Sequence, residues 1–169
     1  MALLGTTGTR TGTEVNKMMK TIASALAAAT LATVSVAGAA GAEPSTSLTV
    51  YKSPSCGCCG GWVDHMKAAG FTVTTKDTDE MDTVKAMLGV PADMGSCHTA
   101  TIDGYVVEGH VPADAVRRLL AEKPEAAGLA APGMPMGSPG MDNGGASEPY
   151  SVMLFTRAGG AETFQRYGQ

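Results

Sequence analysis

This chain of 169 residues has few aromatic residues, and its basic residues form no cluster. Phe, Trp and Tyr make up only 5% of the sequence, so a hydrophobic core must be mostly aliphatic. The chain has 12 Lys and Arg residues against 16 Asp and Glu residues, a formal net charge of −4. Because the basic residues do not cluster, the charge pattern typical of nucleic-acid binding is absent. The length allows one domain of about 100–150 residues with extensions.

An apolar run near the N-terminus has the pattern of a secretory signal. Lys17 and Lys20 supply a positive start, and residues 21–36 carry no charge. Residues 40–42, Ala-Gly-Ala, then fit a small-x-small cleavage site. The run is short for a transmembrane span and rich in Ala and Thr, so a membrane anchor is the weaker interpretation.

This signal divides the chain into two predicted parts. We expect residues 1–42 to be an N-terminal extension and cleavable signal peptide, and residues 43–169 to be the mature domain with its C-terminal extension. The mature protein is then periplasmic and has no membrane anchor. Disulfides can persist in that compartment.

Three of the four cysteines lie within four positions, at Cys56, Cys58 and Cys59. Adjacent glycines allow the backbone to turn tightly. A strand-like run, residues 48–51, precedes them and a helix-like run, residues 62–69, follows. We therefore expect the sulfurs at a strand-to-helix turn, where free N–H groups and the helix dipole favour the thiolate. The thiolate is both the nucleophile of redox chemistry and a soft metal ligand.

The order of the periodic segments predicts an α/β fold. The predicted strands are residues 48–51, 71–75, 97–102 and 105–109, and the predicted helices are residues 62–69, 79–88 and about 111–121. This β-α-β-α-β-β-α order, with an early parallel pair and a late antiparallel hairpin, is the minimal thioredoxin-like arrangement. Three methionines recur at helical spacing and are assigned to the core: Met66, Met81 and Met87.

Residues 122–149 change character and are dominated by Gly, Pro, Ala and Ser. We expect such a segment to form neither a helix nor a central strand. Residues 150–155 then read as a strand, and residues 164–167 return beside it. This C-terminal piece is predicted either to extend the sheet or to lie over the thiol turn.

The fourth cysteine, Cys97, begins the predicted third strand, whose N-terminal end passes close to the thiol turn in this arrangement. Four sulfurs are therefore expected to converge. Side chains alternate along a strand, so Cys97 and His98 should point to opposite faces unless the backbone bends. His110 ends a strand at a turn and is sterically freer, which makes it the better placed histidine ligand.

The softness of these ligands indicates the metal. Thiolates with imidazole and thioether select copper(I) or zinc over hard cations. Zinc favours a closed tetrahedral site, but paired Cys-x-x-Cys spacing occurs only once here. Thiolates that bridge several copper(I) ions would explain the extra Cys58. The thioethers of the flexible Gly/Pro segment, at Met134, Met136 and Met141, would also suit copper(I).

Other functions stay open on the residues alone. A thiol–disulfide oxidoreductase would use Cys56 and Cys59, with Cys58 or Cys97 as a resolving thiol. A passive copper chaperone or buffer would transfer copper without a change of oxidation state. Two ordinary structural disulfides are the simplest alternative, although the spacing of the first three cysteines is too close for an obvious stapling framework.

Four stretches of the sequence resemble the CopG-type periplasmic copper-resistance proteins. They are residues 51–62 (Tyr-Lys-Ser-Pro-Ser-Cys-Gly-Cys-Cys-Gly-Gly-Trp), 96–100 (Ser-Cys-His-Thr-Ala), 109–112 (Gly-His-Val-Pro) and 133–141 (Gly-Met-Pro-Met-Gly-Ser-Pro-Gly-Met). The resemblance covers roughly residues 47–156. It implies a thioredoxin-like fold, a copper site and a role in copper tolerance through copper redox interconversion. Carried across, the site would be Cys56, Cys58, Cys59 and Cys97, with His110 and methionines nearby.

The sequence thus predicts an exported copper-binding protein that holds Cu(I) in a cysteine-thiolate cluster and interconverts Cu(I) and Cu(II). Whether it is an enzyme stays open; a copper oxidoreductase is the enzyme class that this reading would fit. The expected partners are copper ions and other periplasmic copper-handling proteins.

Overall fold

The computed structural model describes residues 46–142 and 144–168. The predicted extension and signal peptide, residues 1–42, lie outside the described residues, so that division of the chain stays a prediction. Within the described ranges, no helix combines the length and the apolar character needed to cross a membrane.

One mixed sheet of seven strands organises the described part of the chain. The strands are β1 (Ser47–Lys52), β2 (Thr72–Asp77), β3 (His98–Ile102), β4 (Tyr105–Gly109), β5 (Gly128–Ala131), β6 (Tyr150–Phe155) and β7 (Ala161–Tyr167). The helices are α1 (Gly57–Ala68), α2 (Met81–Leu88) and α3 (Ala113–Glu122), with a short 3-10 helix at Ala92–Met94. Across the sheet the strands run in the order β2-β1-β3-β4-β5-β6-β7.

The first half of the sheet has the predicted connectivity. Strand β1 pairs in parallel with β2 and antiparallel with β3. Strands β3 and β4 form an antiparallel hairpin whose turn residues, Asp103 and Gly104, have φ values of 48° and 83°. Positive φ at both positions is what a two-residue hairpin turn requires. The α/β class, the early parallel pair and the late hairpin are therefore confirmed, while the name thioredoxin-like goes beyond this topology and stays a prediction.

The second half of the sheet corrects one expectation. Residues 128–131 form β5, which lies between β4 and β6, so the expectation that residues 122–149 contain no central strand is wrong. Gly and Ala have low strand propensity, but all of β5 is buried, and this tertiary context overrides propensity. A side chain at Gly128 would overlap the Val106 carbonyl, so the small residues are what allow the close approach. Strands β6 and β7 extend the sheet, one of the two predicted placements.

The two faces of the sheet carry cores of different size. Helices α1 and α3 cover the larger one, which contains Trp62, Met66 and Leu119. A smaller cluster that contains Met94 and Phe155 fills the other face.

Helix α2 corrects the assignment of two methionines to the core. Met66 of α1 is buried as predicted. Met81 is only half-buried and Met87 is 80% exposed. Helix α2 has no buried residue. Of the predicted apolar face of this helix, Leu88 packs against the smaller cluster and is only partly buried.

Candidate metal centre

The cysteine motif lies at the N-terminus of α1, and this helix begins earlier than predicted. It starts at Gly57 rather than at Trp62, with Cys56 as the N-cap residue. Cys58 and Cys59 therefore lie in the first turn of the helix. Glycine has low helix propensity, so the Gly-rich residues 57–61 carry no helical signal in the sequence. The position places the sulfurs where the helix dipole and free N–H groups favour negative charge.

Four sulfur atoms meet at this point, as the sequence predicts. Cys56 and Cys59 form a disulfide, and Cys58 and Cys97 are free. The Cys58 sulfur is 3.5 Å from that of Cys56 and 3.9 Å from that of Cys97, and the Cys59 and Cys97 sulfurs are 3.4 Å apart. All four lie within 4.8 Å of one another. This is a cluster that can hold metal once the disulfide is reduced.

Cys97 also belongs to a second group, with His98 and His110. Its sulfur is 3.4 Å from Nδ1 of His98 and 3.0 Å from Nε2 of His110. Strand β3 begins at His98 rather than at Cys97 as predicted, so the exception stated for a bent backbone is the case that occurs. Strand alternation therefore does not apply between them. Cys97 is the residue that the two groups share.

A backbone carbonyl orients the His110 ring. Nδ1 of His110 donates to the Pro139 carbonyl oxygen at 2.8 Å, so in the neutral ring Nε2 carries the lone pair that faces Cys97. Burial lowers the pKa of His110, and burial together with the nearby Cys58 raises the pKa of Cys97 to about 12. Both shifts favour neutral forms. At neutral pH the pair is therefore a thiol that donates to an imidazole acceptor.

His98 is fully buried and lies between two other rings. Its ring centroid is 4.5 Å from that of Trp62 and 5.0 Å from that of His110. Burial lowers the pKa of His98 to about 3, so the imidazole is neutral and able to act as a ligand. Its Nε2 has no hydrogen-bond partner among the described residues. The ring nitrogen of His98 that faces Cys97 is the other one, Nδ1, and this is the atom that could act as a ligand in the group with Cys97 and His110.

The Gly/Pro segment packs directly on the start of α1. A Cβ atom at Gly140 would lie 2.5 Å from the Cys58 carbonyl oxygen and 2.6 Å from the Trp62 nitrogen. Gly61 meets Gly140 in the same way, since a Cβ there would lie 3.0 Å from the Gly140 Cα. Paired glycines thus let this segment approach closely and bring Pro139 to His110.

Replacing Gly140 with Ala is therefore expected to displace the segment from α1. The matched control is Gly144→Ala, because Gly144 also has positive φ (75° against 83°) but open space around it. We expect Gly140→Ala to lower the free energy of unfolding by about 1–3 kcal/mol more than the control does. Denaturant unfolding measures the difference, and equal losses in the two variants would contradict this packing.

The three predicted methionine ligands differ in exposure. Met134 is 53% exposed, and Met136 and Met141 are half-buried. Their segment contacts the site through the Pro139 carbonyl and through Gly140. A ligand role for the three thioethers stays a prediction.

Sequence reasoning missed a buried charged pair beside the site. Glu108 of β4 is fully buried, and Nζ of Lys85 lies 2.5 Å from its carboxylate. The carboxylate also accepts from the Ser96 N–H at 2.7 Å and the Thr99 hydroxyl at 2.6 Å. The available signal was an acidic residue inside the apolar strand Tyr105–Gly109.

Fold and site together define a mixed α/β protein with a cysteine and histidine centre that can hold metal. Two solved structures, named "Copper resistance protein copG", Form 1 and Form 2, each match with a TM-score of 0.70 and 46% sequence identity. Each match covers 75% of this chain and 100% of the other. A family model described as "Protein of unknown function, DUF411" matches residues 94–141. A comparison with curated proteins finds no match.

At this identity and coverage, the chain belongs to the CopG family of copper-resistance proteins. The resemblance noted in the sequence is confirmed. The family match also agrees with the α/β class.

Proposed function

We propose that this protein acts in copper resistance by binding Cu(I) through the thiolates of Cys56, Cys58, Cys59 and Cys97. The observation that carries the proposal is the convergence of all four sulfurs, from α1 and from the turn before β3, within 4.8 Å. Thiolates are soft donors that select Cu(I) over hard cations. The neighbouring structures are named for copper resistance, which supports copper as the ion handled.

The histidines broaden the donor set of this proposed site. His98 and His110 are neutral at physiological pH because burial lowers the pKa of each imidazole. Imidazole tolerates Cu(II), whereas thiolate stabilises Cu(I). Their shared contact with Cys97 supports a site that accommodates both oxidation states.

Formation of the Cys56–Cys59 disulfide would supply the electrons that reduce Cu(II) to Cu(I). Oxidation of the Cys56 and Cys59 thiols forms one S–S bond and releases two electrons and two protons. Two Cu(II) ions accept those electrons and become Cu(I), and the two remaining thiols, Cys58 and Cys97, would hold the product until the disulfide is reduced and all four sulfurs are available. The Cys56–Cys59 disulfide is therefore the oxidised partner in such an exchange, and an external dithiol would return it to the reduced form.

Export remains part of the proposal. The predicted signal in residues 1–42 would send residues 43–169 to the periplasm, where the site would receive copper from other copper-handling proteins. An oxidising compartment is also consistent with a disulfide at this position.

An anaerobic Cu(I) titration of the reduced protein, against a competing chelator and with elemental analysis of the product, tests copper binding. We expect several copper ions per chain, because a thiolate that bridges two ions is shared between them, and four such thiolates can therefore hold more than one copper ion. The same protein with its thiols alkylated is the control. Failure of the reduced protein to compete for Cu(I) would overturn the proposal.

A thiol–disulfide oxidoreductase is the second candidate, and the Cys56–Cys59 disulfide favours it. Cys58 lies 3.5 Å from Cys56, and Cys97 lies 3.4 Å from Cys59, so each disulfide sulfur has a thiol within reach. The raised pKa of Cys97 opposes a role for it as the attacking thiolate.

A Cys58→Ser variant separates the two functions. It keeps the Cys56–Cys59 pair, so an oxidoreductase would keep its disulfide reductase activity. A copper cluster would lose part of its stoichiometry, because one of its four sulfurs is gone.

A further inference from the structure

A buried ion pair, Lys85 with Glu108, contacts the turn that carries Cys97. The Glu108 side chain is 0% exposed and its Lys85 partner is 16% exposed. One carboxylate oxygen accepts from Nζ of Lys85 at 2.5 Å and from the Ser96 N–H at 2.7 Å. The other accepts from the Thr99 hydroxyl at 2.6 Å. The carboxylate thus ties α2, β3 and the residue before Cys97 to β4.

Stability alone is a poor explanation for this pair. Removing two charges from water has a large desolvation cost, and a well-packed apolar pair is often as stable. Glu108 shares its sheet face with Val106, which belongs to the smaller apolar cluster. An apolar residue at position 108 would extend that cluster, but it could not accept the Ser96 N–H.

The turn before β3 is held from two sides. On one side the Ser96 N–H donates to Glu108. On the other side the Ser96 hydroxyl donates to the Gly133 carbonyl, and the Gly133 N–H donates to the Gly95 carbonyl at 3.0 Å. Because the N–H and the hydroxyl of Ser96 are both hydrogen-bonded, the direction of the backbone at the next residue, Cys97, is fixed.

We propose that Glu108, held by Lys85, is a positioning residue for the Cys97 sulfur. Its carboxylate sets the backbone of the turn, and the turn places Cys97 3.4 Å from Cys59 and 3.0 Å from His110. This inference rests on the proposed function insofar as the positioned sulfur serves copper. The positioning itself is a property of the protein without metal.

The first experiment uses no copper. In a Cys58→Ser background with the Cys56–Cys59 disulfide intact, Cys97 is the one free thiol, since the chain has four cysteines. Its alkylation rate by iodoacetamide is compared in Glu108→Ala and Glu108→Gln. We expect Glu108→Ala to accelerate alkylation about tenfold, because a turn that has lost its carboxylate anchor opens more often and exposes the Cys97 sulfur to the reagent. Glu108→Gln keeps an acceptor for the Ser96 N–H and should stay within about threefold of the parent.

A second experiment measures Cu(I) affinity of the reduced chain with its four cysteines. Glu108→Ala should weaken binding about 10- to 100-fold, the range typical of residues that orient metal ligands, and Glu108→Gln should largely restore it. The matched control is Glu122→Ala, which removes a glutamate paired with Arg118 at 2.7 Å on the surface. That variant should leave both alkylation and copper affinity unchanged.

A folded Glu108→Ala variant with the parent alkylation rate overturns the inference, even if copper binding is intact. If Glu108→Ala does not fold, Lys85→Met decides. It removes the cation that holds the carboxylate, so at least about threefold faster alkylation supports the inference and an unchanged rate overturns it. A parent protein that binds no Cu(I) overturns the proposed function alone, because the alkylation experiment still reports on the turn.

Discussion

Replacing Cys97 with Ser is expected to abolish tight Cu(I) binding by the reduced protein. The Cys97 sulfur belongs to both groups of metal-ligand atoms, one with the other cysteines and one with His98 and His110. Its loss removes a donor from each group at once. Since removing a residue that merely orients a ligand costs about 10- to 100-fold in affinity, losing this ligand should cost at least about a hundredfold.

Chelator competition under anaerobic conditions measures the effect. Met87→Ser is the control, because it also exchanges a sulfur for a hydroxyl but at a side chain that is 80% exposed on α2. That variant should bind copper as the parent does. A Cys97→Ser protein that keeps the parent affinity and stoichiometry would show that the other three cysteines suffice.

The redox state of Cys56 and Cys59 is expected to set the copper capacity. With their disulfide intact the protein has two free thiols, Cys58 and Cys97, and reduction yields four. Because two of the four sulfurs cannot act as thiolates while they are bonded to each other, we expect the reduced protein to bind at least about twice as much Cu(I).

Thiol titration before and after anaerobic reduction gives the sulfur count, and elemental analysis after desalting gives the copper count. A Cys56→Ser, Cys59→Ser double variant is the control, since reduction should not change its capacity. Equal capacity of the oxidised and reduced parent proteins would show that Cys56 and Cys59 are not copper ligands.

Local sequence patterns were sufficient for much of the fold. Strands β4 and β6 have the predicted bounds, residues 105–109 and 150–155. Alternating apolar residues and an Asp-Gly turn act over a few positions, so they can be read without the rest of the chain. The start of α1 and the strand β5 could not be read in this way. Their Gly and Ala residues carry weak propensities, and packing decided their conformation.

The candidate site, like the fold, could be predicted only in part from the sequence. Sequence alone identified the four cysteines, because three of them within four positions and a fourth before β3 are a specific combination, and it named both histidines. It did not determine which histidine reaches the sulfurs. Alternation placed Cys97 and His98 on opposite faces unless the backbone bends, and the turn before β3 brings both His98 and His110 within 3.4 Å of Cys97.

By itself, then, the sequence determined the thiol-bearing motif, the order of the predicted elements and the family, since each of these depends on residues that are close together in the chain. Only the tertiary structure decided the orientation of His110 by Pro139 and the burial of Glu108 beside the turn that precedes Cys97. These depend on contacts between side chains and backbone groups that folding brings together. Periodicity and spacing in the sequence do not predict which side chains and backbone groups, far apart in the chain, make contact.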